Sequence, residues 1–280
     1  MGHTATPGDD DMTDDRETTR WRTFWARGGW WRSALVVVAY FVVFQAGSLL
    51  FAPLLATVTD PAMVVLVFTA LPIALGGIIL VAFALSTGQL RTLFGHQPIG
   101  GRWWMWIAVA IVLVFNALRF ATTDYADAGF TLALAWLVAG LFIGFAEEFL
   151  TRGIVVQFMR RAGYGEIVVA VVSAALFAAM HAGNLLTGQA LFPTVVQLLY
   201  TFAFGLCMYL TLRVTGNLIW PILLHASTDP SIFLQSTHPA DTPVAAFAGL
   251  GNIAVIVAGL ILLIFIRGRV TPPQHVTTVG

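Results

Sequence analysis

Charge is what this 280-residue chain has least of: 10% of its residues are charged, against 58% hydrophobic residues and a mean hydropathy of +0.85. A soluble domain carries about 25% charged residues, so this composition cannot clothe a water-facing surface. Soluble enzymes and nucleic-acid-binding proteins are thereby excluded. Lysine is absent, and all fourteen basic residues are arginine. Beside the heavy load of Ala, Val and Leu, that bias points to a GC-rich bacterial genome. Cysteine occurs once, at Cys207, which rules out a disulfide framework and a thiolate metal cluster; any metal would have to use histidine and carboxylate. Acidic residues are scarce and uneven. Six of the fourteen (Asp9, Asp10, Asp11, Asp14, Asp15 and Glu17) lie in the first seventeen positions.

What is present is a series of apolar stretches long enough to cross a hydrocarbon core of about 30 Å. They fall near 34–56, 61–86, 104–122, 130–158, 166–182, 193–213, 217–229 and 242–266. The fold expected is therefore all-α, a polytopic membrane bundle of about eight helices. The seventh stretch is short and holds Pro221, which suggests a partial or tilted span. Residues 1–33 read as an acidic disordered tail followed by an interfacial segment rich in Trp and Arg, residues 34–266 as the membrane domain, and residues 267–280 as a second tail. The polar, acidic start does not resemble a secretory signal.

Arginine placement tests the count, because cytoplasmic flanks collect positive charge. Eight spans with both termini inside put twelve of the fourteen arginines on cytoplasmic flanks. Arg152 sits toward the inner end of the fourth span, and Arg119 alone lies near an outer end. Removing one span would switch every later loop and destroy the bias. The expected location is a bacterial inner (plasma) membrane, with both ends cytoplasmic. No internal repeat is evident, and the polar groups cluster after position 146 apart from Arg119, which argues against an inverted-repeat transporter.

Ionisable residues inside a membrane are costly and are functional candidates by default. Glu147, Glu148 and Arg152 lie in the fourth span, His181 in the fifth, and His225 and Asp229 in the seventh. At 1.5 Å per residue, Glu147 is roughly 16 Å from the inner end of its helix, His181 roughly 22 Å and His225 roughly 12 Å, so one layer somewhat inside the midplane can hold them all. Glu148 and Arg152 are one turn apart and can neutralise one another. Glu147 points about 100° away with no partner on its own helix. Both carboxylates in one ion-pair network that fixes packing is the competing reading. Likewise, His181 could be a hydrogen-bonded packing residue and Asp229, followed by Pro230, a helix-end residue. Phe177, one turn before His181, reads as a packing contact or a groove wall. Glu147, His181 and His225 would also make a His2Glu zinc set, although the HExxH spacing of a common zinc protease is missing.

The ordered set Glu147-Glu148-x-x-x-Arg152, Phe177-x-x-x-His181 and His225-x-x-x-Asp229 resembles the three motifs of the CPBP family of intramembrane proteases. This CAAX-protease and bacteriocin-processing (abortive-infection) family includes the Rce1-type CAAX prenyl endopeptidases. The motifs cover about positions 130–230. The resemblance implies an endopeptidase in which Glu147 and His181 activate water while His225 and Asp229 stabilise the oxyanion or complete a metal site, with Glu148, Arg152 and Phe177 in supporting places. No cofactor is required by this reading and zinc is possible. The implied partners are membrane lipids and a peptide or membrane-anchored protein substrate, reached from the cytoplasm, and no nucleic acid. A non-catalytic bacteriocin-immunity or partner-binding protein of the same fold is the alternative.

Overall fold

The structure, a computed structural model, describes residues 19–271. The acidic run from Asp9 to Glu17 and the last nine residues lie outside the described residues. The fold is an all-α polytopic bundle, 81% helical, with two isolated backbone bridges and no strand among the described residues. Seven helices are long and apolar enough to cross a membrane. They are α1 (Trp30–Ala56), α2 (Pro61–Ser86), α3 (Trp103–Ala121), α4 (Phe130–Arg161), α5 (Glu166–Thr187), α6 (Leu191–Thr215) and, last, α8 (Pro243–Leu263). Between the last two runs α7 (Ile219–Thr237).

The seventh expected span needs correction. The expected stretch, 217–229, is short and holds Pro221, and it stops just before Pro230, a residue that removes a helix hydrogen bond and crowds the preceding turn. Instead α7 continues through Pro230 for 19 residues, about 28 Å. It is more polar than its neighbours, yet it carries the chain from end to end. At its start the Asn217 amide donates to Phe94 O (3.1 Å), and just past its end the Asp124 N–H donates to His238 O (2.8 Å). The helix tolerates the proline because α4 offers it glycine. A Cβ on Gly140 would come within 2.3 Å of Ala226 O and 2.4 Å of the Pro230 ring, and one on Gly144 within 2.6 Å of both Ile222 O and Ala226 N. This Gly-x-x-x-Gly face lets two backbones meet closely, as small residues do between membrane helices. Gly144→Ala should therefore cost about 1–3 kcal/mol by overpacking and lower the thermal unfolding midpoint in detergent. Gly249→Ala, whose added Cβ meets nothing within 4 Å, should leave the midpoint unchanged or raise it.

Capping fits the sequence at the helix starts. Asp60 accepts from the Met63 N–H (2.9 Å) with Pro61 behind it, and Thr242 accepts from the Ala245 N–H (3.2 Å) before Pro243. Such side chains satisfy amides that a helix start leaves open, and proline costs nothing there.

The two ends of the bundle differ in kind. At one end, Glu166 opens α5 fully buried, receiving Arg160 from α4 (2.7 Å), Arg213 from α6 (3.0 Å) and a short hydrogen bond from the Tyr209 hydroxyl. Residues 19–26 form a helix that folds onto this end, where Trp25 stacks on Phe158 with ring centres 5.7 Å apart. The expected interfacial segment thus includes a buried indole, and α1 starts at Trp30, earlier than the expected position 34. This end is called the arginine end below. At the opposite end lie the loops carrying Asp60, Asp124, Asp127 and Asp241, with His238 Nδ1 2.7 Å from Asp127. The most enclosed helix is α6, whose residues from Ala203 to Arg213 are all buried.

Candidate active site

Polar residues converge where α4, α5 and α7 meet. Just after Glu148, α4 widens into a π-helical stretch, Phe149–Val155, every residue of which is buried. Such widened turns recur at functional sites. Here Thr151 donates its hydroxyl to Glu147 O (2.6 Å), and Gly153 sits within the wide turn.

Glu148 is fully enclosed and holds two partners. Arg152 Nη1 lies 3.1 Å from its Oε1, and His225 Nδ1 lies 2.8 Å from the same oxygen. The helical spacing had paired the first two; the link to His225, 77 residues on, was not legible. Because a carboxylate only accepts, Nδ1 carries the proton, and Nε2 is left facing the other way. It faces two further carboxylates: Glu147 Oε2 at 3.6 Å and Asp229 Oδ2 at 3.9 Å. Glu148, not Asp229, is thus the group that orients the His225 ring. Arg152 donates also to the Thr151 hydroxyl and lies 4.7 Å over the Phe177 ring. Its Nη2 points to Gly205 of α6, where a Cβ would come within 2.8 Å.

Phe177 stands between the two histidines, edge-on to His181 (5.0 Å between ring centres) and to His225 (5.7 Å). Phe204 closes the other side of His225 at 4.8 Å. His181 Nδ1 is 3.1 Å from Phe177 O; a carbonyl can only accept, so Nδ1 donates and Nε2 keeps its lone pair.

Glu147, His181 and Asp229 line a cavity of about 690 Å³, together with Tyr40, Phe41 and Phe44 of α1, Asn184, Gln197 and Tyr200 around α5 and α6, and Asn252 of α8. Residues such as Tyr40, Gln197 and Tyr200 carry no motif, and membrane helices commonly hold them as packing; the sequence offered no signal for them. His225 sits behind the cavity wall, 2% exposed, whereas the Glu147 side chain is 16% exposed. Glu147 is the carboxylate open to the cavity and Glu148 the one sealed behind it.

Residues 129–230 match a family model described as type II CAAX prenyl endopeptidase Rce1-like. Over that stretch the chain is similar to the Rce1-like family. A search of curated proteins gave no match. The matched stretch runs from the start of α4 to Pro230 on α7, so it contains every side chain of the three motifs, while α1, α2 and α8 add the remaining cavity walls. The matched family is one of proteases, and the seven long apolar helices are those of a multi-pass membrane protein.

The residues of the possible zinc set are Glu147, His181 and His225. Among the described residues no three His, Cys, Asp or Glu side chains are grouped to hold a metal ion.

Proposed function

We infer that the chain is an intramembrane endopeptidase in which Glu147 is the base that activates water. The observation that carries this reading is the division of labour between adjacent carboxylates: Glu148 is neutralised and occupied by Arg152 and His225, whereas Glu147 faces the cavity with no hydrogen bond to its own carboxylate among the described residues. A base must reach its proton within hydrogen-bond distance, and the open carboxylate is the one that can. The His181 Nε2 lone pair is free to orient the same water. The bond cleaved is the peptide C–N bond: water adds to the carbonyl carbon as Glu147 takes its proton, and that proton passes to the leaving amine as the C–N bond breaks.

Hydrolysis also needs donors where the oxyanion develops. His225, protonated on both ring nitrogens with Nδ1 held by Glu148, is the candidate donor through Nε2. Asp229, 3.9 Å from it, would share or steady that proton. The lipid bilayer surrounds the site, the substrate is a peptide or membrane-anchored segment, and the membrane is a plasma membrane.

Purified protein in proteoliposomes should cleave members of a peptide library, with new termini read by mass spectrometry. Preparations made without added metal should keep that activity with zinc content near zero by elemental analysis. Stoichiometric zinc that is needed for turnover would replace this water-activation scheme with a metal one.

A further inference from the structure

We propose that the arginine end of the bundle faces the cytoplasm and that the cavity opens on the opposite face, so that an apolar peptide segment reaches Glu147 from the non-cytoplasmic side. The substrate half of this proposal rests on the endopeptidase reading above; the orientation half does not. It departs from the cytoplasmic approach expected from sequence, and three observations carry it.

The first is the course of the cavity. It begins at Glu147 and Tyr40 and runs past Asp229 to Asn184, Phe233 and Phe192. Phe192 is in the first turn of α6, and Phe233 is roughly 6 Å from the last residue of α7. Both therefore mark the end away from the arginines. The second is what lies on the other side of Glu147. Roughly 21 Å of α4 separate it from Arg161, and there Phe149, Leu150, Ile154, Val155, Phe158 and Met159 are all at most 1% exposed. Beyond them stand Trp25 and the Arg160–Glu166–Arg213 cluster, and a smaller cavity of about 300 Å³ at this end reaches Arg152 and Gly153 but not Glu147.

The third is charge. Arg20, Arg22, Arg27, Arg91, Arg102, Arg267 and Arg269 are exposed at the arginine end, and the one acid described there, Glu166, is buried. The loops of the opposite end carry Asp60, Asp124, Asp127 and Asp241 and no arginine. Loops retained in the cytoplasm collect arginine and translocated loops do not, so the acidic end is the exported one. The vestibule on that side is walled by Phe41, Phe44, Phe192 and Phe233, and no arginine lines it. Its only acids are Glu147 and Asp229. That lining suits an apolar or basic stretch and disfavours an acidic one.

Cysteine labelling of the full chain tests the proposal. In a Cys207→Ala background, Thr187→Cys reports the acidic end, His96→Cys the arginine end, and Val196→Cys the cavity mouth. A membrane-impermeant maleimide should label the first and third in right-side-out vesicles, and His96→Cys only after permeabilisation or in inside-out vesicles. Labelling of Thr187→Cys only in inside-out vesicles would overturn the orientation. A Val196→Cys that labels only from the arginine side, or from neither side, would overturn the opening. Labelling needs no turnover, so a chain that cleaves no peptide would sink the endopeptidase reading while leaving this result readable.

Discussion

Glu147→Gln should lower peptide cleavage in proteoliposomes by at least about 100-fold, the lower end of what a positioned general base contributes. Glutamine keeps the size of the side chain and its place at the cavity, and removes only the ability to take a proton. Stability should change little, because the Glu147 carboxylate accepts no hydrogen bond among the described residues and lies 3.6 Å from its nearest charged neighbour, His225. The variant should therefore elute as a monodisperse species and unfold within a few degrees of wild type while cleaving almost nothing. Equal cleavage by both proteins would remove Glu147 from the chemistry. A fall in activity that tracks a fall in stability would instead make it a packing residue, the competing reading of the two adjacent glutamates. His181→Ala belongs in the same assay, since its Nε2 is the second group free to hold the water.

The helices were legible because hydropathy and the arginine bias are local signals, each carried by a run of residues. The expected second span, 61–86, agrees with Pro61–Ser86, and the fifth begins at Glu166 as expected. Local reasoning failed where two distant segments compensate for one another. Pro230 ends a helix when considered alone, yet Gly140 and Gly144, some ninety residues earlier, leave room for it. Nothing within α7 reports that room. The same limit governs the site. Spacing of i and i+4 gave the Glu148–Arg152 pair, found at 3.1 Å, and set Glu147 on another face. It could not give the partner of His225, because the link to Glu148 crosses between helices. Asp229, one turn from His225 on the same helix, lies 3.9 Å from it, too long for a hydrogen bond. Glu166 was hidden for the opposite reason. At the start of a span it looks like a solvated flank, whereas two arginines and a tyrosine from other helices enclose it.

Depth shows the same contrast. Counting residues from helix ends correctly brings Glu147, His181 and His225 into one layer, but such counting is blind to which side of the layer is packed. Only the burial of α4 from Phe149 to Val156 and from Phe158 to Arg160, set against the walls of the cavity, distinguishes a route from a seal. The few charges in the membrane thus have two duties. Those at the arginine end fasten helices together, and Glu147 and Asp229 border the cavity with His225 behind them.

Arg152→Met should be the most destabilising single change in the domain, by about 3–5 kcal/mol, the usual cost of leaving a buried charge without its partner. Glu148 is fully buried, its Oε2 has no hydrogen-bond partner among the described residues, and beside the guanidinium it keeps only His225 at 2.8 Å. Arg152 itself has spare donors, Nε and Nη2, and rests against the Phe177 ring; it therefore serves as a counter-charge more than as a hydrogen-bond hub. The double variant Glu148→Gln with Arg152→Met should recover more than half of the lost stability, because a neutral amide needs no counter-ion, and its oxygen can still accept from His225 Nδ1. Denaturation of the two singles and the double in detergent completes the cycle. A strong favourable coupling is expected, since contacting charges are where additivity fails. Additive losses would mean that Arg152 contributes through packing against Phe177 and Gly205, and that the His225 ring is held without help from a compensated Glu148. Cleavage by the double variant separates these roles further: retained activity at recovered stability assigns Arg152 to holding Glu148, and loss of activity at recovered stability assigns the Glu148 charge to setting the His225 proton.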